Sequence, residues 1–298
     1  MKIGITGASG LIGSALCSSL RAGGHGVVRF VRGEITGPDQ RSWDPATRRL
    51  DPSALGDLDA VIHLAGAGVG DKRWTPSYKK TVLQSRVDGT TAVATAMADA
   101  QRPQVLLSAS AIGWYGDTGD RVTDETGPRG QGFLADVCEQ WERSTGPAEA
   151  AGVRVVHLRT GIVLDPSGGA LGKQLPVFKL GAGAPLGGGR QWTSWISLRD
   201  EVSAITYCLT AEVNGAVNLV APTPVTNRDF TRTLGRVLHR PTLPIGVPGV
   251  ALRAGLGQFA DEGLLIGQRL RPSVLEGSGF SFEDRELEPA LRDMLTER

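Results

Sequence analysis

Only three cysteines, Cys17, Cys138 and Cys208, occur in 298 residues. They are widely spaced, odd in number and without nearby histidine, which excludes a disulfide framework and a zinc cluster of the usual spacing, so buried, reduced thiols are expected. Charge of either sign is not in excess: Lys and Arg total 32 against 31 Asp and Glu, a formal net charge of +1. With the basic residues scattered along the chain, this speaks against nucleic acid or a membrane surface as partner. No apolar run is long enough to span a bilayer. The first residues, Met1 to Gly7, break into glycine before any signal-like apolar core develops, and a cytoplasmic location is the resulting expectation. The four histidines, His25, His63, His157 and His239, are dispersed, so no Ser/His/Asp constellation assembles from the sequence, and all four are read as structural.

What is abundant is alternation. Apolar strands are predicted at 2–6, 27–31, 60–64, 104–107 and 153–158, with helices at 10–21, 78–98 and 133–150 between them. That order calls for an α/β fold, a Rossmann-type doubly wound parallel sheet covered on both faces. Residues 41–45 and 49–51 read as a small hairpin in place of a crossover helix. The glycine-crowded stretch 168–189 reads as a loop-rich cap. Capping boxes at Ser197-x-x-Asp200 and Thr226-x-x-Asp229 mark two later helix starts, which is a sufficient structural account of Asp200. The expected division is a dinucleotide-binding domain at 1–165, to which 195–225 returns, and a smaller C-terminal cap on the substrate side, made of 166–194 and 226–298.

Thr6-Gly7-Ala8-Ser9-Gly10-Leu11-Ile12-Gly13 lies between the first strand and the first helix. There a diphosphate can accept hydrogen bonds from backbone N–H groups at the positive helix end. Gly7 permits the tight turn, Gly10 admits the phosphates and Gly13 lets the helix press on the strand. At the end of the second strand, where an acid would hold the 2′-hydroxyl of NAD, stands Arg32, whose planar fork suits a 2′-phosphate. NADP(H) is therefore the expected cofactor, although a solvated surface arginine is the alternative reading of Arg32.

The G-x-x-G-x-x-G spacing, His63-Leu64-Ala65-Gly66 and Trp195-Ile196-Ser197-Leu198-Arg199-Asp200 resemble the extended short-chain dehydrogenase/reductase superfamily, which includes the nucleotide-sugar epimerases. Arg73-Trp74, Ser85-Arg86, the run 110–116, the run 159–164, Gly187-x-Gly189-x-Gln191-Trp192 and the tail from Gly267-Gln268-Arg269 to Gly279-Phe280 resemble its atypical "epimerase family protein" group, and the likeness covers essentially the whole chain. The resemblance implies cofactor contacts from Gly7, Ser9, Gly10, Leu11, Ile12, Gly13, Arg32, Leu64, Ala65, Gly66, Ser108 and Ile162. It adds Arg86, which stands where the superfamily pattern has asparagine. Lys79, Lys80 and Arg86 read equally well as a solvated helix face.

The superfamily's Tyr-x-x-x-Lys pair is absent; Leu134 and Cys138 occupy its place. Leucine has no proton to give, and an apolar setting raises a thiol's pKa. Ser110, matching the substrate-orienting serine, and Tyr115, the nearest phenol, are the remaining catalytic candidates, with an aromatic lid as the other reading of Tyr115. Asp117, Glu125 and Glu142 are isolated carboxylates, which are usually solvated. The expected partner is a small-molecule substrate, with monomer and homodimer both open. Two functions follow: an NADP(H)-dependent oxidoreductase or nucleotide-sugar-epimerase-like enzyme on a small carbonyl or sugar-like substrate, or a catalytically idle NADP(H)-binding sensor or scaffold.

Overall fold

The computed structural model describes residues 1–296. In chain order its elements are β1 (Lys2–Thr6), α1 (Leu11–Ala22), β2 (Gly26–Val31), β3 (Gln40–Ser42), β4 (Ala60–His63), α2 (Pro76–Ala100), β5 (Val105–Ala111), α3 (Phe133–Arg143), α4 (Gly146–Ala150), β6 (Arg154–Thr160), β7 (Ile162–Asp165), α5 (Gly169–Lys179), β8 (Trp192–Thr193), β9 (Trp195–Ser197), α6 (Leu198–Thr210), β10 (Gly215–Leu219), β11 (Val225–Thr226), α7 (Asn227–Val237), α8 (Gly249–Leu256), α9 (Ser273–Ser278) and α10 (Leu287–Thr296). Two compact units share these elements. The first comprises Met1–Ala111, Asp136–Arg159 and Val202–Val217, and the second comprises Ile112–Ala135, Thr160–Glu201 and Asn218–Arg298.

The first unit is built on a seven-stranded sheet in the order β10-β6-β5-β4-β1-β2-β3. The pairs β2–β3, β1–β2, β1–β4 and β4–β5 are parallel. Parallel strands need crossover helices, and those helices bury both faces, so β4 is buried at all four residues. Strand order reverses between β1 and β4. In open α/β sheets ligands bind outside the carboxyl ends of the strands at that point, so the loops after β1 and β4 are where a site belongs. Beneath them Leu55, Leu58, Val61, Val93, Met97 and Leu106 form a closed apolar core with Trp43.

In the second unit Leu171, Leu175 and Phe178 of α5 pack with Trp195, Phe230, Leu234 and Leu291. The forward half of each capping box forms in this unit, Ser197 Oγ accepting the Asp200 N–H at 3.1 Å and Thr226 Oγ1 the Asp229 N–H at 3.1 Å, while the Asp200 carboxylate turns instead to the Glu283 and Asp284 N–H groups. Each such cap satisfies an N–H that the helix itself leaves open.

Three local expectations need correction. The expected hairpin shrinks to one antiparallel pair, Asp44 with Arg49, closing a turn in which Arg48 takes φ 54°, while its first arm begins as a short edge strand, β3, running parallel to β2. The expected helix 133–150 is two helices, because Pro147 has no N–H to continue the ladder past Thr145. The glycine-rich stretch contains an 11-residue helix, α5, whose buried side chains recur at i, i+4 and i+7.

Candidate functional site

At the reversal of strand order the first unit holds a cleft of about 900 Å³. Gly7, Ala8, Ser9 and Gly10 line it from the loop after β1; Arg29, Phe30, Val31 and Arg32 from β2 and its end; Leu64 to Gly68 from the loop after β4. Trp43, Pro45 and Ala46 close it on the β3 side, and Thr81, Gln84, Ser85 and Asp88 of α2 with Asp71 complete it.

Thr6 sets the two loops against each other. Its buried Oγ1 meets His63 Nδ1 at 2.7 Å and accepts the N–H groups of Leu64 and Ala65 at 3.1 and 3.3 Å. Complete burial pushes the His63 pKa down to about 3, so the ring is neutral and purely structural. Gly7, at φ 69°, lies so close to the β4 loop that a Cβ would come within 2.8 Å of the Leu64 carbonyl carbon. Gly13 carries α1 over that turn, and a Cβ there would sit 2.2 Å from the Gly7 oxygen. The chain's own packing therefore demands both glycines.

Gly10 is different. A Cβ on it would meet only the Gly7 oxygen, at 3.4 Å. Gly10 is also the N-cap of α1, which has no side-chain cap and no acid in its first turn. The result is an uncapped positive helix end with an open approach from the cleft, the geometry that receives an anion through backbone N–H groups. The residues present thus fit the diphosphate of a dinucleotide.

Two guanidiniums stand at the β2 side. Arg29 is held by Asp39 through two hydrogen bonds of 2.9 Å. Arg32 is exposed and makes no ion pair or hydrogen bond among the described residues.

Of the residues expected at the cofactor, Gly7, Ser9, Gly10, Arg32, Leu64, Ala65 and Gly66 line the cleft; Leu11, Ile12, Gly13, Arg86, Ser108 and Ile162 do not. Arg86 acts one layer back. It donates to the Ala67 carbonyl at 2.8 Å while Ser85 Oγ accepts the Ala67 N–H at 3.0 Å, so α2 holds the two successive peptides that flank Ala67 in the β4 loop. The Arg86 guanidinium lies 4.7 Å from the Trp141 ring centre, a cation–π contact. Ser108 is buried on β5 opposite His63. Ile162 opens β7 and packs on the core of the second unit.

Both catalytic candidates have their protons committed inward. Ser110 Oγ donates to Glu142 Oε1 at 2.6 Å, and Arg159 grips the same carboxylate at 2.8 and 2.9 Å, with all three side chains buried. Tyr115 is 2% exposed and donates its phenol proton to Asn218 Oδ1 at 2.7 Å. Glu142 is thus buried and paired, not solvated. Glu125 accepts the N–H groups of Asn218 and Val274, and burial raises its pKa. Asp117 accepts from the Gly119 and Gly267 backbones. Cys138, where a lysine would stand, is buried and its thiol is pushed up to about 12. Among the described residues no His, Cys, Asp or Glu group has the geometry to hold a metal, and no helix is long and apolar enough to cross a membrane.

Of the α2 residues of the cleft the sequence had marked only Ser85, as part of the family likeness, although Thr81, Gln84, Ser85 and Asp88 recur with helical spacing beside the buried Val82 and Gly89. Trp43, Pro45 and Ala46 carry no such signal, because their place depends on β3 pairing with β2.

Comparison with known proteins agrees with this geometry. A family profile described as the NAD dependent epimerase/dehydratase family matches residues 3–133, and a domain of unknown function, DUF1731, matches residues 247–294. An epimerase family protein of Mycobacterium bovis is 48% identical over 290 residues, covering 97% of this chain and 96% of that protein. The Bos taurus epimerase family protein SDR39U1 is 34% identical, covering 99% of this chain and all of that one. The crystal structure of the human epimerase family protein SDR39U1 (isoform 2) with NADPH superposes with a TM-score of 0.88 at 32% identity, covering 100% of both chains. A UDP-glucose 4-epimerase of Thermus thermophilus in complex with NAD, at 19% identity and a TM-score of 0.74 with 100% and 99% coverage, shares the fold.

Proposed function

This chain belongs to the epimerase family of the short-chain dehydrogenase/reductase fold, and from that premise we propose that it binds NADP(H) in the cleft of its first unit and acts as an oxidoreductase or epimerase-like enzyme on a small carbonyl or sugar-like substrate. The observation that carries the nucleotide is Gly10, whose missing side chain serves no internal contact and opens an uncapped helix end to the cleft. Ser9 and the first turn of α1 hold the diphosphate through backbone N–H groups, while Gly10, whose own N–H closes the turn on the Gly7 oxygen, leaves the approach open. Arg32 pairs with the 2′-phosphate, which a guanidinium fork matches. Leu64, Ala65 and Gly66 cover the nucleotide from the β4 loop, kept in place by Ser85 and Arg86 through Ala67. When bound, NADPH supplies a hydride. The NADPH in the human relative's structure supports the choice of cofactor.

A second reading, an idle NADP(H)-binding sensor or scaffold, rests on its own observation. Ser110 and Tyr115 both donate to buried acceptors, and Leu134 and Cys138 stand in place of the tyrosine and lysine. Titration calorimetry of the purified protein tests the cofactor: NADPH binds more tightly than NADH, and Arg32→Ala removes most of the difference. Absence of heat with either nucleotide overturns the reading. Stopped-flow absorbance at 340 nm with a panel of carbonyls and nucleotide sugars separates enzyme from sensor, since turnover of bound NADPH supports the first and a silent cofactor the second.

A further inference from the structure

A carboxylate at the end of the second strand selects a dinucleotide with a free 2′-hydroxyl and repels a 2′-phosphate. The sequence has no acid at that position, but the fold supplies one from elsewhere. The turn before β3 returns the chain alongside β2, so that Gln40 pairs with Arg29 and the Arg29 N–H donates to the Asp39 carbonyl at 2.7 Å. Asp39 thereby sits directly behind Arg29, a cleft-lining residue, without lining the cleft itself.

We propose that Asp39 is a masked carboxylate and that Arg29, by masking it, is a specificity-determining residue that lets this cleft prefer a 2′-phosphorylated nucleotide. The proposal rests on the NADP(H) reading and deepens it. Arg29 uses Nε and Nη2 on the two carboxylate oxygens, both at 2.9 Å, and Arg21 Nη2 adds a third bond at 2.7 Å. Two guanidiniums on one carboxylate leave the group cationic, where the same carboxylate with one cation would be neutral. The Arg29 hydrogen bond, more than any other interaction, holds the Asp39 carboxyl below its ordinary range, so the acid stays ionised and its charge must be offset by cations. A 2′-phosphate beside Arg29 and Arg32 lies within the roughly 8 Å over which charges act at physiological salt, so the sign of this neighbouring group counts. Arg32 supplies the direct contact, and Arg29 keeps the background positive.

The test is a charge cycle on the full-length protein, read as dissociation constants for NADPH and NADH by calorimetry. Arg29→Met is expected to weaken NADPH about tenfold while leaving NADH within about twofold, because it takes the Arg21–Arg29–Asp39 group from one net positive charge to none and only the phosphorylated ligand feels that loss. Arg29→Lys retains most of the preference. Asp39→Asn, which leaves both arginines in place, tightens NADPH. The double variant Arg29→Met with Asp39→Asn recovers the NADPH affinity lost in the single one, and raising the salt shrinks every one of these differences. Equal weakening of both nucleotides by Arg29→Met, or failure of Asp39→Asn to restore NADPH binding, overturns the proposal. Wild-type protein that binds neither nucleotide overturns the NADP(H) reading itself. Wild-type protein that prefers NADPH, loses the preference in Arg32→Ala and keeps it in Arg29→Met overturns only the masking role.

Discussion

Ser110 donates its hydroxyl proton to Glu142 Oε1 across 2.6 Å, and Arg159 holds the same carboxylate, with Nε on that oxygen and Nη2 on the other. A hydroxyl so committed is an acceptor toward anything else that reaches it. The buried pair also makes this cluster sensitive to charge. Glu142→Gln leaves the Arg159 guanidinium buried without its anion and is expected to cost about 3–5 kcal/mol of stability. Ser110→Ala removes a single charge-assisted bond and costs about 1–3 kcal/mol. Urea unfolding followed by circular dichroism gives both values, and equal small losses would show that the cluster is solvated in solution.

Glu201 in the first turn of α6 is fully buried, takes one hydrogen bond from Thr160 at 2.8 Å, and its other oxygen has no hydrogen-bond partner among the described residues. Burial pushes its pKa up to about 8 from an ordinary value of 4.5. The unfolded chain releases this proton near pH 4.5 and the folded protein only near pH 8, so the stability it contributes is complete below pH 4.5 and falls as pH rises to 8. Glu201→Gln keeps the shape without the titration. Its melting temperature is expected to exceed that of wild type at pH 8 and to approach it at pH 5, and a constant difference across that range would refute the assignment.

His63 has the opposite sign. Held neutral down to about pH 3, it must accept a proton on unfolding at any pH below its ordinary 6.5. The folded state therefore loses stability as pH falls from 6.5 toward 3. His63→Gln is expected to flatten part of the acid limb of a thermal-stability profile; an unchanged slope would mean that the ring is protonated in the native protein.

The glycine loop separates into two kinds of position. Gly13→Ala places a methyl group 2.2 Å from the Gly7 oxygen and is expected to destabilise the fold by about 1–3 kcal/mol. Gly10→Ala meets nothing closer than 3.4 Å, so the melting temperature stays near wild type while NADPH affinity drops at least tenfold. Differential scanning fluorimetry with and without NADPH reads both, and a Gly10→Ala variant with full ligand-induced stabilisation would show that the diphosphate lies elsewhere.

The βαβ opening was readable because its signals are local: Gly7, Gly10 and Gly13 lie within seven residues of sequence and act on one turn. Arg32 was readable for the same reason, being the next residue after β2. Asp39 was not, because its nearness to Arg29 follows from β3 pairing with β2, a relation between separate segments. The inward bonds of Ser110 and Tyr115 escaped detection similarly, since Glu142 and Asn218 lie 32 and 103 residues away. Helix α5 was hidden by composition, as Gly168, Gly169 and Gly172 outweighed the regular spacing of Leu171, Leu175 and Phe178. An edge strand of three residues, β3, offers too short a pattern to be distinguished from one arm of a hairpin.

The chain passes from one unit to the other after residues 111, 135, 159, 201 and 217. Neither unit is therefore a contiguous stretch of gene, and no single recombination junction can exchange the unit that carries the cleft while sparing the other. Diversification of the second unit has to proceed by substitution or by insertion into loops, with the Rossmann sheet inherited alongside it.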